Sequence, residues 1–454
     1  MGCTMAGSVM VIHSESMNLG DGLNLVNVSV TLGHRRRPVV TDVDLALSPG
    51  RVVLLTGRSG SGKSTLLKAV SGIVPWVEPG AVDGDILLGA ESIIELDPGQ
   101  RAHLVATCLD RPESQLFLPL VRDEIEAACR RHAPSDAVRD DVVESLGIGD
   151  LLPRRVAELS SGERQRVALA MTLMAAGGPL LLDEPTVHLD EAGVADLVGL
   201  MDRLVASGTS AVVAEHSGWR WRGLPVTSRR IHGGGLVEID VPDAPKLARP
   251  GHEPGRAPVL EATELVVGRA GLRVAGPLDL MLREGEVVVI TGANGAGKSS
   301  LARTLCGWLP PLQGRVRHHG SAPRLMLPEA EFQLFAQSVE RELGGRGFTD
   351  GEVARVLRRH RLEHLAARAP WTLSRGEQQR LVHASWDVGR PGLLVIDEPA
   401  QGLDAEDLAV LVDLIHRRAE RGRSYLVITH RPEFVGAAHR HLHLEGGQMH
   451  EVGP

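Results

Sequence analysis

Residues Thr56–Thr65 read TGRSGSGKST, and residues Thr291–Ser300 read TGANGAGKSS, 235 positions further along a chain of 454 residues. Both fit G-x-x-x-x-G-K-[ST], through Gly57, Gly62, Lys63 and Ser64 in the first copy and Gly292, Gly297, Lys298 and Ser299 in the second. A loop of this kind lets backbone N–H groups wrap a phosphate, while the following helix points its positive end at the same anion. Ser59, Gly60, Thr65, Asn294, Gly295 and Ser300 complete the two cradles. Ser64 and Ser299 each offer a hydroxyl to Mg2+. Each cradle follows a short apolar run, RVVLLTG or EVVVITG, and precedes a segment with apolar residues at helical spacing. That is the strand, loop and helix order in which such a motif carries meaning.

Working outward, the two halves stay in register. Ser160 pairs with Ser374, Asp183 with Asp397 and His216 with His430, each at an offset of 214. The cradle lysines are offset by 235, so the second half is 21 residues shorter after its cradle, and the repeated QLF at Gln115 and Gln333 places 17 of those before it. A stretch corresponding to SIIELDPGQRAHLVAT is missing from the second copy. PLLLDEPT and LLVIDEPA read as buried strands ending in paired acids, and AVVAEH and YLVITH as strands ending in histidine. Polar chemistry at the carboxyl ends of parallel strands is where open α/β sheets hold ligands. In each site Asp183 or Asp397 suits the metal shell, and Glu184 or Glu398 beside it can orient an attacking water. His216 and His430 can donate a hydrogen bond to a terminal phosphate.

Composition sets the outer bounds. The chain is 43% hydrophobic and 23% charged, enough apolar content for two or three cores. A net charge of −8 argues against broad electrostatic binding of nucleic acid. Cys3, Cys108, Cys129 and Cys306 show neither CxxC pairing nor zinc-ligand spacing, which suits a reduced intracellular chain. No run of 18 apolar residues occurs, residues 1–24 lack a signal-peptide layout, and Ala6 spoils a myristoylation signal behind Gly2. Only four of the 49 basic residues are lysine, and two of those, Lys63 and Lys298, sit in the cradles. A compact ammonium slips among phosphates where a guanidinium fork would not. The resulting division is a flexible tail over 1–24, a first domain over 25–240, a proline-rich linker over 241–258 and a second domain over 259–454. The linker is read as extended and free to let the domains face each other in any orientation, spanning up to roughly 50 Å.

LSSGERQR at Leu159–Arg166 and LSRGEQQR at Leu373–Arg380 add a third element. With it the chain resembles the ATP-binding cassette family over nearly its whole length from about residue 25. The resemblance implies an α/β fold of two tandem P-loop nucleotide-binding domains, each with a mainly parallel sheet, flanking helices, a small antiparallel β subdomain and a helical subdomain. It also implies that the signature of one cassette completes the site of the other. Lys63, Ser64, Asp183, Glu184 and His216 would work with Ser374 and Gly376. Lys298, Ser299, Asp397, Glu398 and His430 would work with Ser160 and Gly162. Asp190 and Asp404 match the family's D-loop between the two sites. ATP and Mg2+ are the implied cofactors, and the fused cassettes form an internal pseudo-dimer.

DRPESQLFLPLVRDEI and PEAEFQLFAQSVEREL resemble, more narrowly, the segment after the Q-loop of energy-coupling-factor transporter ATPases. That resemblance implies a peripheral ATPase on the cytoplasmic face of the membrane, energising import of a vitamin or a transition-metal ion. Its partners would be a transmembrane coupling protein and a substrate-binding membrane protein. Acidic residues after the Q-loops, including Glu113, Asp123, Glu124, Glu329 and Glu331, are expected to receive partner arginines. The alternative is a soluble tandem cassette protein acting on ribosomes or nucleic acid; the short linker, without zinc spacing or heptads, speaks against it.

The chain departs from the family pattern in places. The Q-loop glutamine is Asp110 in the first half and falls at Pro328 or Glu329 in the second. Leu32 and Arg269 stand near where an aromatic usually stacks on adenine, and Arg375 replaces a signature glycine. His439, His441 and His443 alternate along a strand, read as an exposed edge with a metal sensor as the alternative. GHRRRP at 33–38 reads as a solvated basic turn, and WRWR at 219–222 as packing against the domain edge.

Overall fold

Val52–Thr56 and Val287–Thr291 are five-residue strands without an exposed position, and their alternation explains the layering. Val52 and Leu54 enter one apolar cluster with the helices, while Val53 and Leu55 enter another with an antiparallel sheet. Val287 and Val289 divide from Val288 and Ile290 in the same way. A strand buried on both faces has no reason to alternate polar and apolar residues, which is why these runs read as continuously hydrophobic.

The structure is a computed structural model that describes residues 22–33, 35–111, 114–175, 178–269, 271–328, 330–386, 392–400 and 402–453, without the side chains of Glu331 and Arg375. Glu113, Glu329 and nearly all of the expected tail lie outside the described residues. Leu23 and Asn24, assigned to that tail, already belong to the strand Leu23–Leu32, and Leu23 is fully buried. Pro258, assigned to the linker, opens the strand Pro258–Arg269.

Each half has a six-stranded sheet. In the first, the order is 235–239, 226–232, 52–56, 210–214, 179–183 and 106–108. In the second, it is 324–326, 393–397, 424–428, 287–291, 440–445 and 448–452. Neighbours pair in parallel except for the hairpins 226–232/235–239 and 440–445/448–452. A separate antiparallel sheet accompanies each, with four strands in the first half and three in the second. The cradle strand is central in both, so its loop opens at the carboxyl edge one strand away from the strands that end in Asp183 and Asp397.

The segment found only in the first half has a local task. Arg101 is buried and donates through Nη1 to the carbonyls of Ala69 and Val70, the last turn of the helix Lys63–Val70. A cation there satisfies carbonyls that the helix leaves unpaired. In the second half, His318 Nε2 meets the carbonyl of Leu305 at the end of the matching helix.

The linker is not a free spacer. Arg222 holds the carbonyls of Val241 and Pro242, Val241 packs on the first core, and Leu247 packs on the second. His252 Nε2 lies 2.9 Å from the carbonyl of Gly285, and Gly255 N donates to Glu284 O. Nor is the histidine strand an exposed edge: Arg440–Glu445 lies between two other strands. His441 Nε2 and His443 Nδ1 both meet the hydroxyl of Thr291, at 2.7 and 2.9 Å, and His439 accepts from Val287 N. Among the described residues, no helix is long and apolar enough to cross a membrane.

Candidate nucleotide sites

Gly62 and Gly297 cap the cradle helices in the left-handed region, at φ 109° and 97°. A Cβ there would come within 2.8 Å of Val40 Cγ2 in one copy and 2.5 Å of Val274 Cγ1 in the other, so the turn admits only glycine. The lysine that follows folds back under the loop. Lys63 Nζ donates to Gly57 O at 2.9 Å, and Lys298 Nζ donates to Gly292 O and Ala293 O at 2.7 and 2.9 Å. Burial lowers both ammonium pKa values below the ordinary lysine range.

The acids stand beside the lysines. Asp183 is fully buried, and among the described residues neither of its oxygens has a hydrogen-bond partner of normal geometry, although the nearby Ser64 hydroxyl favours its charge. Burial, then Asp110 and Glu184, push its carboxyl up to about 8. Burial pushes Asp397 up to about 6, opposed chiefly by the hydroxyl of Ser299. An orphaned carboxylate next to a cradle hydroxyl is the donor pair that suits a hard divalent cation such as Mg2+. Among the described residues, no three His, Cys, Asp or Glu side chains converge as a metal cage.

Glu184 and Glu398 both have positive φ, 50° and 51°, in a conformation non-glycine residues seldom adopt. Strain repeated at the same place in both copies marks a position where the chain end of the strand must aim a side chain. Glu184 Oε1 lies 3.0 Å from His216 Nε2, and Lys63 Nζ lies 3.5 Å from the same nitrogen. Glu398 Oε1 meets His430 Nδ1 at 2.9 Å and also accepts from His430 N. Burial disfavours its charge, yet His430 and Lys298 hold the Glu398 carboxyl below the usual range.

The two halves touch each other at both cradles. Ser160 and Ser374 each cap a signature helix through a capping box with Glu163 and Glu377. These two glutamates are legible in the sequence as S-x-x-E, within the signatures themselves. Ser59 Oγ lies 3.2 Å from Ser374 Oγ, and a Cβ on Gly376 would come within 2.4 Å of Ser59 Oγ. On the other side, Gly162 faces Asn294, whose side chain donates to His188 O at 3.0 Å. Asp190 and Asp404 serve two masters. One oxygen of each caps its own helix, at Gly193 N and Asp407 N. The other accepts from the opposite cradle, at Asn294 N (2.9 Å) and Ser59 N (3.3 Å).

The second cavity, about 1050 Å³, gathers Ser160, Gly162, Asn294, Gly295, Gly297, Lys298, Ser299, Ser300, Asp397, Glu398 and His430. Pro328 and Arg269 line it as well. The first, about 690 Å³, lies between Arg58, Ser59 and Gly60 on one side and Arg361, Arg368 and Glu377 on the other, with Arg35 from the basic turn. Leu32 does not join it and instead packs partly against the apolar core.

Residues 40–187 and 276–401 each match the ABC transporter family. The chain belongs to the ABC transporter family. It is 30% identical to an ABC transporter ATP-binding protein of Streptomyces avermitilis, over 94% of this chain and 93% of that one. It is 28% identical to a similarly named protein of Treponema denticola, over 94% and 96%. A protein of Bacillus subtilis named for HMP/thiamine import, YkoD, is 26% identical over 91% of this chain and 88% of its own length. Among solved structures, the RNase-L inhibitor superposes with a TM-score of 0.67 at 20% identity, covering 93% of this chain and 89% of that one. This ABC protein is therefore an ATPase with two cassettes that share one tandem fold.

The segments after the Q-loops correct one expectation. Glu124 is not a receptor for partner arginines: it is 2% exposed, and its carboxylate accepts from the backbone of Phe117 and Leu118. Glu342 does the same for Phe335 N and Ala336 N, both at 2.8 Å. On the opposite side of each loop, Gln115 and Gln333 bracket the chain through Thr107 O and Leu327 O. The outcome is a phenylalanine held out in water in both cassettes, Phe117 at 82% and Phe335 at 77% exposure. WRWR is split as well: Trp221 is buried, while Arg220 reaches Glu433 of the other cassette at 3.9 Å.

Proposed function

We propose that this chain is the energising subunit of an ABC transporter of the energy-coupling-factor type, importing a vitamin or a transition-metal ion. The observation that carries the reading is the pair of exposed phenylalanines, each fixed by a buried glutamate and a glutamine at matching places in the repeat. A large apolar side chain kept out of the core by dedicated hydrogen bonds is suited to insert into a partner. Similarity to a protein named for HMP/thiamine import supports the same class. The chain would sit on the cytoplasmic face of the membrane, against a transmembrane coupling protein and a substrate-binding membrane protein.

In this reading the second cavity is one composite ATP site, and the other forms where the first cradle meets Ser374 and Gly376; the first cavity borders that site through Ser59, Gly60 and Glu377 but is not lined by Lys63, Asp183 or Glu184. Gly57, Gly60, Gly62, Thr65, Gly292, Gly295 and Ser300 with their neighbours cradle the phosphates, and Lys63 and Lys298 neutralise them. Ser64 with Asp183, and Ser299 with Asp397, would hold Mg2+, which when bound offsets phosphate charge. Glu184 and Glu398 accept a proton from the attacking water, and His216 and His430 orient the terminal phosphate. Ser160 with Gly162, and Ser374 with Gly376, close each site from the opposite cassette. Binding thus draws the cassettes together, and hydrolysis releases them.

The test is affinity capture of the tagged chain from membranes in mild detergent, with ATPase assayed before and after capture. An integral helical partner that stimulates turnover, and that is lost from the Phe117→Ser, Phe335→Ser double variant at unchanged melting temperature, is the expected result. Capture of ribosomes or nucleic acid alone would leave an ATPase and overturn the transport reading.

A further inference from the structure

Ser217 and Arg431 occupy matching places in the repeat, each one residue after the strand-end histidine, and they meet across the interface. Arg431 Nη2 donates to Ser217 Oγ at 3.1 Å. Ser217 is 1% exposed, so the bond is sheltered from water. Duplication by itself would put the same residue on both sides. Here a guanidinium faces a hydroxyl, and the contact has a direction.

The bonds continue into both sites. Ser217 N and His216 N donate to Glu215 Oε1 at 3.4 and 3.0 Å, while Thr186 Oγ1 holds Glu215 Oε2 at 2.7 Å. On the other side, Arg431 N donates to Thr429 Oγ1 at 3.1 Å, and Thr429 Oγ1 donates to Glu398 Oε2 at 3.0 Å. Arg431 Nη1 also holds Ala400 O at 3.2 Å, in the segment between Glu398 and Asp404. The places of Thr186 and Glu215 are taken in the second half by Ala400 and Thr429. Only the first half therefore carries the buried acid that receives this chain of bonds.

We infer that Arg431 is a positioning residue that couples the two ATP sites, tying the backbone that carries His216 to the backbone that carries His430 and Glu398. The inference rests on the reading of two composite ATP sites. Arg431 lines the second cavity, so the residue that reaches into the first cassette also borders the second site. A contiguous network of this kind transmits occupancy, and thermodynamic linkage requires the influence to run both ways.

The experiment measures binding of trinitrophenyl-ATP with Mg2+, and the ATP dependence of hydrolysis, on the full chain. The variants are Ser217→Ala, which removes only the acceptor, Ser217→Thr, which keeps it, and Arg431→Lys. The wild type is expected to show a Hill coefficient of about 1.5, falling to about 1 in Ser217→Ala and recovering in Ser217→Thr. Arg431→Lys, with a shorter reach, is expected to fall between them. A wild-type coefficient of 1 with normal hydrolysis, or an unchanged coefficient in Ser217→Ala, overturns the coupling. Hydrolysis that survives Ser160→Ala plus Ser374→Ala undiminished overturns the composite sites instead.

Discussion

The first cradle touches its opposing signature directly, through Ser59 and Ser374, whereas the second holds Asn294 back on His188 and leaves the larger cavity. Around Lys63 stand Asp183, Glu184 and the buried Glu215, with Asp110 next to Asp183; around Lys298 stand Asp397 and Glu398, with Pro328 lining the same cavity. Two ten-residue loops that share six residues thus sit in unlike electrostatic surroundings. A duplicated motif preserves the chemistry that can be done, while its neighbours set how readily each copy does it.

The sharpest way to break this comparison is to remove one catalytic carboxylate at a time. Glu398 is held ionised by His430 beside an open cavity, so Glu398→Gln is expected to lower steady-state kcat by about 10²-fold or more. Glu184→Gln is expected to lower it about tenfold less severely. Equal losses would show that the surroundings do not matter. The reverse order would make the first site the faster one.

A methyl group probes closure more gently. At Gly376 it would meet Ser59 Oγ at 2.4 Å and Gly402 O at 2.7 Å, whereas at Gly162 its nearest contact is His188 O at 3.0 Å. Gly376→Ala is expected to weaken ATP affinity about tenfold or more, and Gly162→Ala by only a few-fold, in equilibrium binding. Similar losses would mean that the second site closes as tightly as the first once nucleotide is present.

The smallest effect concerns pH. The folded chain keeps a proton on Asp183 up to about pH 8, whereas the ordinary value is 3.8. Between those limits the folded state binds more protons than the unfolded, so this residue lowers stability as pH rises. Without nucleotide or Mg2+, Asp183→Asn is expected to gain melting temperature over the wild type by about 2–5 °C, growing from pH 4 to pH 8. For Asp397→Asn the gain should stop growing near pH 6, where its own raised pKa lies. Parallel curves would remove the claimed difference between the two acids.

Much of this was legible along the chain because the motifs are local. A glycine turn, a lysine six residues after its first glycine and a strand that ends in paired acids each depend on neighbours within about ten positions. The buried runs showed both parallel sheets for the same reason. Glu124 misled, because its acidity on a polar helix suggested solvent, while folding turns it under the loop to satisfy two backbone N–H groups. The histidines at 439, 441 and 443 misled because a hairpin beyond them, Gln448–Val452, makes their strand internal. The linker looked free because proline content says nothing about which surfaces it crosses.

The sequence by itself determined that there are two phosphate cradles, and that two signatures, two paired acids and two strand-end histidines follow them at one constant offset. Spacing alone carries that, since each motif is a short-range arrangement of backbone and side chain. Only the tertiary structure decided that Asp190 caps a helix with one oxygen and grips Asn294 with the other, that Phe117 and Phe335 stay in water, and that Arg431 finds Ser217. Those contacts join residues 7 to 214 positions apart. Their geometry depends on how two packed cores settle against each other, which the spacing of motifs along a chain does not express.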